Sequence, residues 1–189
     1  MTVAVEVLPV TAERWADLEK LFGKGGACAG CWCMWFRQTG AEYSANRGEA
    51  NRTSLSSLVE SGRVPGLLAY VEGRPAGWVS VAPRDDFPRL AKSRASTPID
   101  ATPVWSVVCF YIGRGFRRRG LMRPLAEAAA DYAREQGAEW VEAYPKDSDL
   151  TRVSTGAAYV GIASAFAAAG YEEVGRPQPS RPTMRKRLA

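Results

Sequence analysis

The chain has 189 residues, of which 46% are apolar and 24% charged, a composition typical of a globular protein with one sizeable core. Its formal net charge of +5 suits a nucleic acid or a phosphorylated small molecule as partner, and the lack of an aromatic-interleaved basic stripe favours the small molecule. The absence of histidine excludes histidine-based catalytic triads and the commonest metal ligand.

The hydrophobic pattern predicts strands and helices that alternate along most of the chain. In order, these are a strand at 3–8, a helix that begins after Thr11 and is broken by glycines at 23–30, a helix at 49–60, strands at 66–71, 75–81 and 104–112, a helix at 121–136, a strand at 140–144, a helix at 159–169, and strands at 171–174 and 183–188. The turn signal Glu72-Gly-Arg-Pro75 makes its two flanking strands an antiparallel hairpin. Residues 84–100, rich in proline, serine and charge, are predicted to form a long exposed loop.

The most distinctive segment joins the strand at 104–112 to the following helix. A Gly-Arg-Gly turn is followed by Arg117-Arg-Arg-Gly120, and apolar residues then recur at helical spacing from Leu121. Amides in the first turn of a helix have no intrahelical partner, and the helix dipole adds positive charge there. Gly120 has no Cβ and therefore lets a ligand approach the backbone closely. The segment predicts a binding site for an anion such as a diphosphate.

These residues resemble the acyl-CoA-binding motif of the GNAT superfamily of N-acetyltransferases, Gln/Arg-x-x-Gly-x-Gly/Ala after a strand with an aliphatic end. Arg117, Gly120 and Met122 occupy the three defining positions, and Ile112 is the aliphatic strand end. Met122 departs from the pattern, which usually has a small residue there. The predicted order β-α-α-β-β-β-α-β-α-β-β is that of the GNAT fold, so the resemblance covers nearly the whole chain.

The resemblance implies an α/β fold of the α+β kind, a single GNAT domain over residues 1–189. Its central sheet would be mixed and mostly antiparallel, with one splayed strand pair and flanking helices. Acetyl-CoA would be the co-substrate, and the backbone of Phe110, Tyr111 and Ile112 would face the thioester and the pantetheine. The residues implied around the pyrophosphate are Arg117, Arg118, Arg119, Gly120, Leu121, Met122 and Arg123.

The two catalytic positions familiar in this family hold unsuitable residues. The proton-donating tyrosine would stand four residues before Gly170, where this chain has Phe166. The base glutamate of the histone-modifying branch would stand six residues before Ile112, where this chain has Ser106. Neither side chain can do the corresponding proton transfer. Three alternatives follow: catalysis by positioning alone, catalysis by other proton donors and acceptors, or acyl-CoA binding without efficient turnover.

Other candidates for proton transfer lie near the fifth strand and the helix after it. Tyr159 and Tyr144 are candidate acids, and Glu142 and Asp147 are candidate bases. The simpler interpretation makes both tyrosines half-buried aromatics at element ends, and places Glu142 on a solvated strand face and Asp147 in a flexible loop. Phe166 is predicted to be a core residue.

The segment 28–36 is rich in cysteine and tryptophan. Cys28, Cys31 and Cys33 have a spacing found in zinc and iron–sulfur sites, but a closed site needs four ligands and Cys109 is predicted to face a distant strand. We therefore expect free buried thiols and no metal. Trp32 and Trp35 are candidate contacts for the acceptor, as an aromatic wall for an apolar or cationic amine; the alternative is that they cap the core beneath the 84–100 loop.

We predict an acetyl-CoA-dependent N-acetyltransferase that acts on a small-molecule primary amine by direct transfer in a ternary complex. The alternatives are an acyl-CoA-binding regulatory module, a protein N-terminal or lysine acetyltransferase, and a nucleic-acid-binding protein. No apolar run is long enough to span a membrane, and the first residues lack a basic region followed by an apolar core, so we expect a cytoplasmic protein. We expect neither nucleic acid nor membrane as partner, and a homodimer stays open.

Overall fold

The computed structural model describes residues 4–154 and 156–188 and is built around one seven-stranded sheet. The strands are β1 (Val5–Pro9), β2 (Gly66–Val71), β3 (Arg74–Pro83), β4 (Trp105–Ile112), β5 (Trp140–Ala143), β6 (Glu172–Gln178) and β7 (Arg181–Arg187). The helices are α1 (Trp15–Phe22), α2 (Gly40–Asn46), α3 (Glu49–Glu60), α4 (Met122–Glu135) and α5 (Ala163–Ala168). Val3, which the predicted first strand included, lies outside the described residues.

The sheet has the order β1-β2-β3-β4-β5-β7-β6, and every neighbouring pair is antiparallel except β4 and β5. The predicted fold class, a mixed and mostly antiparallel sheet flanked by helices, is confirmed. The predicted hairpin is also confirmed: β2 pairs with β3, and Glu72 and Gly73 both have positive φ, 52° and 69°. Two positive φ angles give the turn a twist that matches that of the paired strands.

The strands β4 and β5 separate partway along β4. They pair only at Trp105↔Val141, Ser106↔Glu142 and Val107↔Ala143, where β5 ends, whereas β4 continues to Ile112. On its other side, β4 has one residue more than β3 between the pairs Val81↔Val107 and Ser80↔Cys109. Such a bulge bends a strand and re-aims its side chains. The bend begins where β5 stops, and it leaves the β5-facing edge of 108–112 unpaired.

Each face of the sheet carries its own core. The helix α4 presents Leu125, Ala126, Ala129, Ala130 and Ala133 to one face, and its small alanine side chains let the helix lie close to the strands. The opposite face is covered by α1, α3 and the 27–36 segment. The described residues include no helix with the length and apolar content that a membrane span requires.

Three features differ from the prediction. The 84–100 loop is not simply exposed, because Phe87 and Leu90 are buried in the core and the loop forms three short 3₁₀ turns. The helix predicted at 159–169 is divided at Gly161, where φ is 86° and a Cβ would lie 2.5 Å from the Phe166 ring. The short helix α2 was not predicted, and a capping box between Thr39 and Glu42 begins it.

Candidate active site

The loop between β4 and α4 forms a row of unpaired backbone amides. Within the described residues, the N–H groups of 117–121 donate to no backbone or side-chain acceptor. Gly120 is exposed with φ 75°, and the space beyond its Cα is open for at least 4 Å. Arg118 also has a positive φ of 61°, a conformation that turns successive amides toward one side. The loop and the N-terminus of the 14-residue helix α4 together form a cradle for an anion.

Contacts at both ends of this cradle hold it in place. The amide of Gly113 donates to Ala76 O at 2.9 Å, and Arg117 Nε donates to Ile112 O at 3.1 Å. Arg118 and Arg119 are exposed and add positive charge to the loop. Met122, which stands where the acyl-CoA-binding motif usually has a small residue, is half-buried. Its side chain packs against the core on the α4 side of the sheet.

A surface cleft lies on the opposite face of the sheet from α4. It has a volume of ≈ 570 Å³ and is bounded by the segment after α1, the 84–100 loop, the turn before α5 and the start of β7. Its aromatic lining residues are Trp35, Phe36 and Tyr159, and its cationic ones are Arg89, Lys92 and Arg181. An adjoining cavity of ≈ 20 Å³, room for about one water, shares Phe36 and Arg181 with the cleft and reaches Val108 and Tyr144. The cleft therefore extends to the point where β4 and β5 separate.

Below the cleft, a chain of hydrogen bonds connects β4 and β5. The hydroxyls of Ser106 and Tyr144 lie 3.0 Å apart, and Arg84 Nη1 donates to Tyr144 Oη. Glu142 is 1% exposed and accepts from Arg185 Nη2 at 2.6 Å and Nε at 2.8 Å. Burial, and then the nearby Glu142 charge, raise the pKa of Tyr144 well above its ordinary value. These buried polar groups are paired with one another, as a low-dielectric interior requires.

The network corrects the interpretation of Glu142 as a solvated residue. Arg185 holds its carboxylate from one side, and Arg84 Nη1 lies 3.5 Å away on the other. Asp147 is held as well, since it pairs with Arg176 at 2.8 Å, and the hydrogen bond from Arg176 lowers the pKa of Asp147. Asp147, with its lowered pKa, is therefore a poor proton acceptor, and the Glu142 carboxylate is occupied by its two arginine partners.

The two candidate tyrosines differ in their access to the cleft. Tyr159 is 39% exposed and lines the cleft, in a 3₁₀ turn just before α5. Burial raises the pKa of Tyr159 from its ordinary value, so the hydroxyl stays protonated at neutral pH. Tyr144 is 3% exposed and its hydroxyl is engaged by Ser106 and Arg84. Of the two, Tyr159 has the freer proton.

Phe166 is a core residue, as predicted. Its side chain is fully buried and packs edge-on against Phe110 and Tyr171, with ring centroids 5.6 and 5.0 Å away. The hydroxyl of Tyr171 donates to Ala126 O on α4 at 3.1 Å. The aromatic cluster therefore packs α5 and the start of β6 against α4. Phe166 has a packing role in it.

The cysteines have different surroundings. Cys28 is exposed, which corrects the expectation of three buried thiols, whereas burial raises the pKa of Cys31 to about 11. Cys33 is buried and accepts a hydrogen bond from Trp78 Nε1 at 2.9 Å. Its pKa is raised well above the ordinary value by burial and then by the neighbouring thiol of Cys109, so Cys109 does not face a distant strand. Within residues 4–154 and 156–188, no three cysteines or carboxylates are grouped as metal ligands.

The two tryptophans predicted to contact the acceptor are placed differently. Trp32 is 7% exposed and packs in the core against Trp15 and Phe22, with ring centroids 6.2 and 5.7 Å away. The structure therefore corrects the assignment of Trp32 to the acceptor site. Trp35 is 37% exposed and lines the cleft, and the guanidinium of Arg89 lies 3.6 Å from its ring centroid.

Several site residues could not be found from the sequence. Arg84 and Arg185 meet Glu142 from segments more than 40 positions away along the chain. Arg89 and Arg181 line one cleft although they are 92 positions apart in number. The two-residue period of a β-strand gives one signal, because it places Arg181 and Arg185 on the same face of β7.

Comparisons with known proteins agree with this geometry. The sequence model of the acetyltransferase (GNAT) family matches residues 31–150. No curated protein sequence matches the chain.

Solved structures similar to the chain share its fold at low sequence identity. A GNAT-family acetyltransferase from Listeria monocytogenes 4b F2365 is 14% identical, with 100% of this chain and 99% of that chain covered and a TM-score of 0.57. The Drosophila melanogaster polyamine N-acetyltransferase, which forms N-acetylagmatine, is 16% identical over 98% and 100%, with a TM-score of 0.55. The PaiA N-acetyltransferase from Thermoplasma acidophilum, in complex with coenzyme A, is 11% identical over 97% and 99%, with a TM-score of 0.53.

Proposed function

Because the chain belongs to the acetyltransferase (GNAT) family, we propose that it transfers the acetyl group of acetyl-CoA to a primary amine of a small molecule, directly within a ternary complex. The observation that carries the proposal is the unpaired edge of β4 at 108–112, which runs from the amide cradle at one end to the cleft at the other. Within the described residues, this edge pairs with no other strand, and it would join a site for a diphosphate to a site for a second molecule.

The residues of the cradle fit the pyrophosphate of CoA. The free amides of 117–121 and the start of α4 would bind its oxygens, and Arg118, Arg119 and Arg123 would supply charge from the rim. The open space at Gly120 leaves the approach to the backbone clear. Along β4, the backbone of Phe110, Tyr111 and Ile112 would pair with the pantetheine amides. Acetyl-CoA would supply the activated thioester, and the chain would hold it in position.

Acetyl transfer forms a bond between the amine nitrogen and the acetyl carbon and breaks the bond between that carbon and sulfur. Sulfur leaves with the electron pair and takes a proton, and the nitrogen loses one. A backbone N–H on the unpaired β4 edge would donate to the carbonyl oxygen as negative charge develops there. The cationic lining of the cleft lowers the pKa of an ammonium bound in it, which favours the neutral, nucleophilic amine without a dedicated base.

We assign the proton for the leaving sulfur to Tyr159, with Tyr144 as the second candidate. Tyr159 lines the cleft with a half-exposed, protonated hydroxyl, whereas the hydroxyl of Tyr144 is tied into the buried network. Within this scheme Glu142 is a positioning residue that holds Arg84 and Arg185 and thereby the ends of β4 and β5.

The test compares two single substitutions that each remove one hydroxyl. Tyr159→Phe should lower kcat by about 10²-fold, the usual contribution of a proton donor, and leave the affinity for CoA unchanged. Tyr144→Phe should mainly lower the stability, because it leaves Ser106 and Arg84 short of a partner. Product formation, followed by mass spectrometry of the acetylated amine, measures kcat. An unchanged kcat in Tyr159→Phe would show that this hydroxyl is not the donor.

The pH dependence gives a second test of the same assignment. A donor must be protonated to act, and the pKa of Tyr159 is raised above the ordinary tyrosine value of about 10. The alkaline fall in kcat that depends on Tyr159 should therefore lie above about pH 10 and be absent from the residual activity of Tyr159→Phe. A Tyr159-dependent fall near neutral pH would contradict the assignment.

A further inference from the structure

Arg181 at the start of β7 is a half-buried cation that pairs with no aspartate or glutamate of the described residues. Its Nε donates to Pro145 O at 3.0 Å and its Nη2 donates to Tyr144 O at 2.7 Å. These two carbonyls fix the guanidinium at the junction of the cleft and the small cavity beside Val108. Among the described residues, no carboxylate lies within 4.0 Å of it, although most buried arginines are paired with one. Its Nη1 is left to bind a ligand.

Arg89 lines the same cleft as Arg181. Its Nε donates to Trp35 O at 2.6 Å, and its guanidinium lies over the Trp35 ring and 5.7 Å from that of Tyr43. Its Nη2 is buried and has no partner in the part of the chain that the structure describes. A buried donor left unpaired costs free energy, which an acceptor atom from a ligand would recover.

The lining of the cleft therefore selects against a cationic acceptor. Arg89, Lys92 and Arg181 all contribute to it, and no aspartate or glutamate does. The Trp35 face that would attract a cationic ligand is already covered by Arg89. A polyamine would bring a second positive charge into this field, whereas an anionic group would neutralise it.

We propose that the amine acceptor carries an anionic group, a carboxylate or a phosphate, which Arg181 binds while the amine faces the free edge of β4. This rests on the proposed acetyltransferase function and narrows its acceptor to amino-acid-like or phosphoamine-like molecules. Arg181 suits the role because the fork of a guanidinium binds carboxylate and phosphate oxygens alike. Its position at the junction of both cavities puts the anion next to the reacting amine.

The experiment compares amines that differ only in the anion. The pairs are tyrosine with tyramine, arginine with agmatine, and phosphoethanolamine with ethanolamine; the first two test the carboxylate and the third tests the phosphate. We expect kcat/KM to be at least 10-fold higher for the anionic member, either in the two carboxylate pairs or in the phosphate pair. Arg181→Gln should remove about 10- to 100-fold of that advantage, the contribution of a charge-assisted hydrogen bond. It should change the members without the anion by much less, since Arg89 and Lys92 keep the cleft cationic. Arg187→Gln is the matched control, because Arg187 is exposed on the same strand. It should change neither the preference for the anionic member nor the use of the other member.

Two further measurements keep the inference testable if turnover is absent or Arg181→Gln folds poorly. Arg181→Lys keeps the charge and should retain part of the preference. Calorimetric titration of the CoA-bound protein with N-acetyltyrosine and N-acetyltyramine measures the preference without catalysis, and the carboxylate form should bind more tightly. Equal or better use of the member without the anion in all three pairs, or an Arg181→Gln variant that weakens CoA instead, would overturn the inference and leave the acetyltransferase function standing. Preferential binding of N-acetyltyrosine without turnover of any amine would support the anion site and refute the proposed function.

Discussion

Gly120→Glu tests the amide cradle, and Gly137→Glu, beyond the other end of α4, is its control. Gly120 and Gly137 flank the two ends of α4, both with positive φ (75° and 84°), both exposed and both with open space where a Cβ would lie. A non-glycine residue at such a φ costs about 1–2 kcal/mol, which lowers the Tm of a chain of this size by about 2–8 °C. Gly120→Glu and Gly137→Glu should therefore lose similar stability and gain the same charge.

Only the first variant should lose CoA. A carboxylate about 5 Å from a bound diphosphate is repelled by ~1–3 kcal/mol for each phosphate charge, depending on the local dielectric constant, which corresponds to at least a 10-fold weaker Kd. At Gly137 the same charge stands about 21 Å away along the helix, beyond the screening length of roughly 10 Å at moderate salt. Calorimetric titration with CoA measures both. Unchanged affinity in Gly120→Glu, or an equal loss in both variants, would refute the cradle.

Three further substitutions test other parts of the site. Glu142→Gln should cost about 1.5–3 kcal/mol of unfolding free energy because it replaces one charged acceptor of the buried Arg185, which keeps Asp100 as a second partner at 2.8 Å. Glu49→Gln, at an exposed ion pair, should cost less than about 1 kcal/mol, and equal losses in denaturant titrations would show that the Glu142 network is not structural. Phe166→Leu should leave kcat within a few-fold while lowering the Tm, and a large loss of kcat at unchanged Tm would give this position a direct part in catalysis. Trp35→Ala should raise the acceptor KM at constant CoA affinity, and unchanged acceptor kinetics would make Trp35 a packing residue only.

The connection between β4 and α4 was predictable because its signal is local. A strand, a turn with Gly120 and an amphipathic helix follow one another within about 30 residues, which is the length of a βα unit, and the backbone conformation of the loop depends on neighbours in the chain. The hairpin around Gly73 was predictable for the same reason. The division at Gly161 was not, because the apolar pattern continues through it and the Phe166 ring that packs against the glycine can be seen only in three dimensions.

The acceptor side depends on contacts between distant segments. In the sequence, Glu142 looks like a solvated strand residue. Its buried charge is stabilised by Arg185 and Arg84, which come from a distant strand and a distant loop. The 84–100 loop has a polar composition, yet Phe87 and Leu90 anchor it in the core. Trp32 is buried and Trp35 is exposed although they are only three positions apart. The reason is that the backbone turns between them, with left-handed φ angles of 43° and 55° at Trp32 and Cys33. Composition alone does not reveal such a turn.

Amine-dependent transfer from acetyl-CoA is the measurement that tests the central claim most directly. The purified protein is incubated with acetyl-CoA and each member of the amine pairs, and both the released CoA and the acetylated amine are quantified by mass spectrometry, which avoids interference from the four cysteines of the chain. We expect equimolar CoA and N-acetylated amine with at least one acceptor, and a loss of both in Gly120→Glu. CoA binding at the cradle without acetylation of any amine would contradict the account and make the protein an acyl-CoA-binding module.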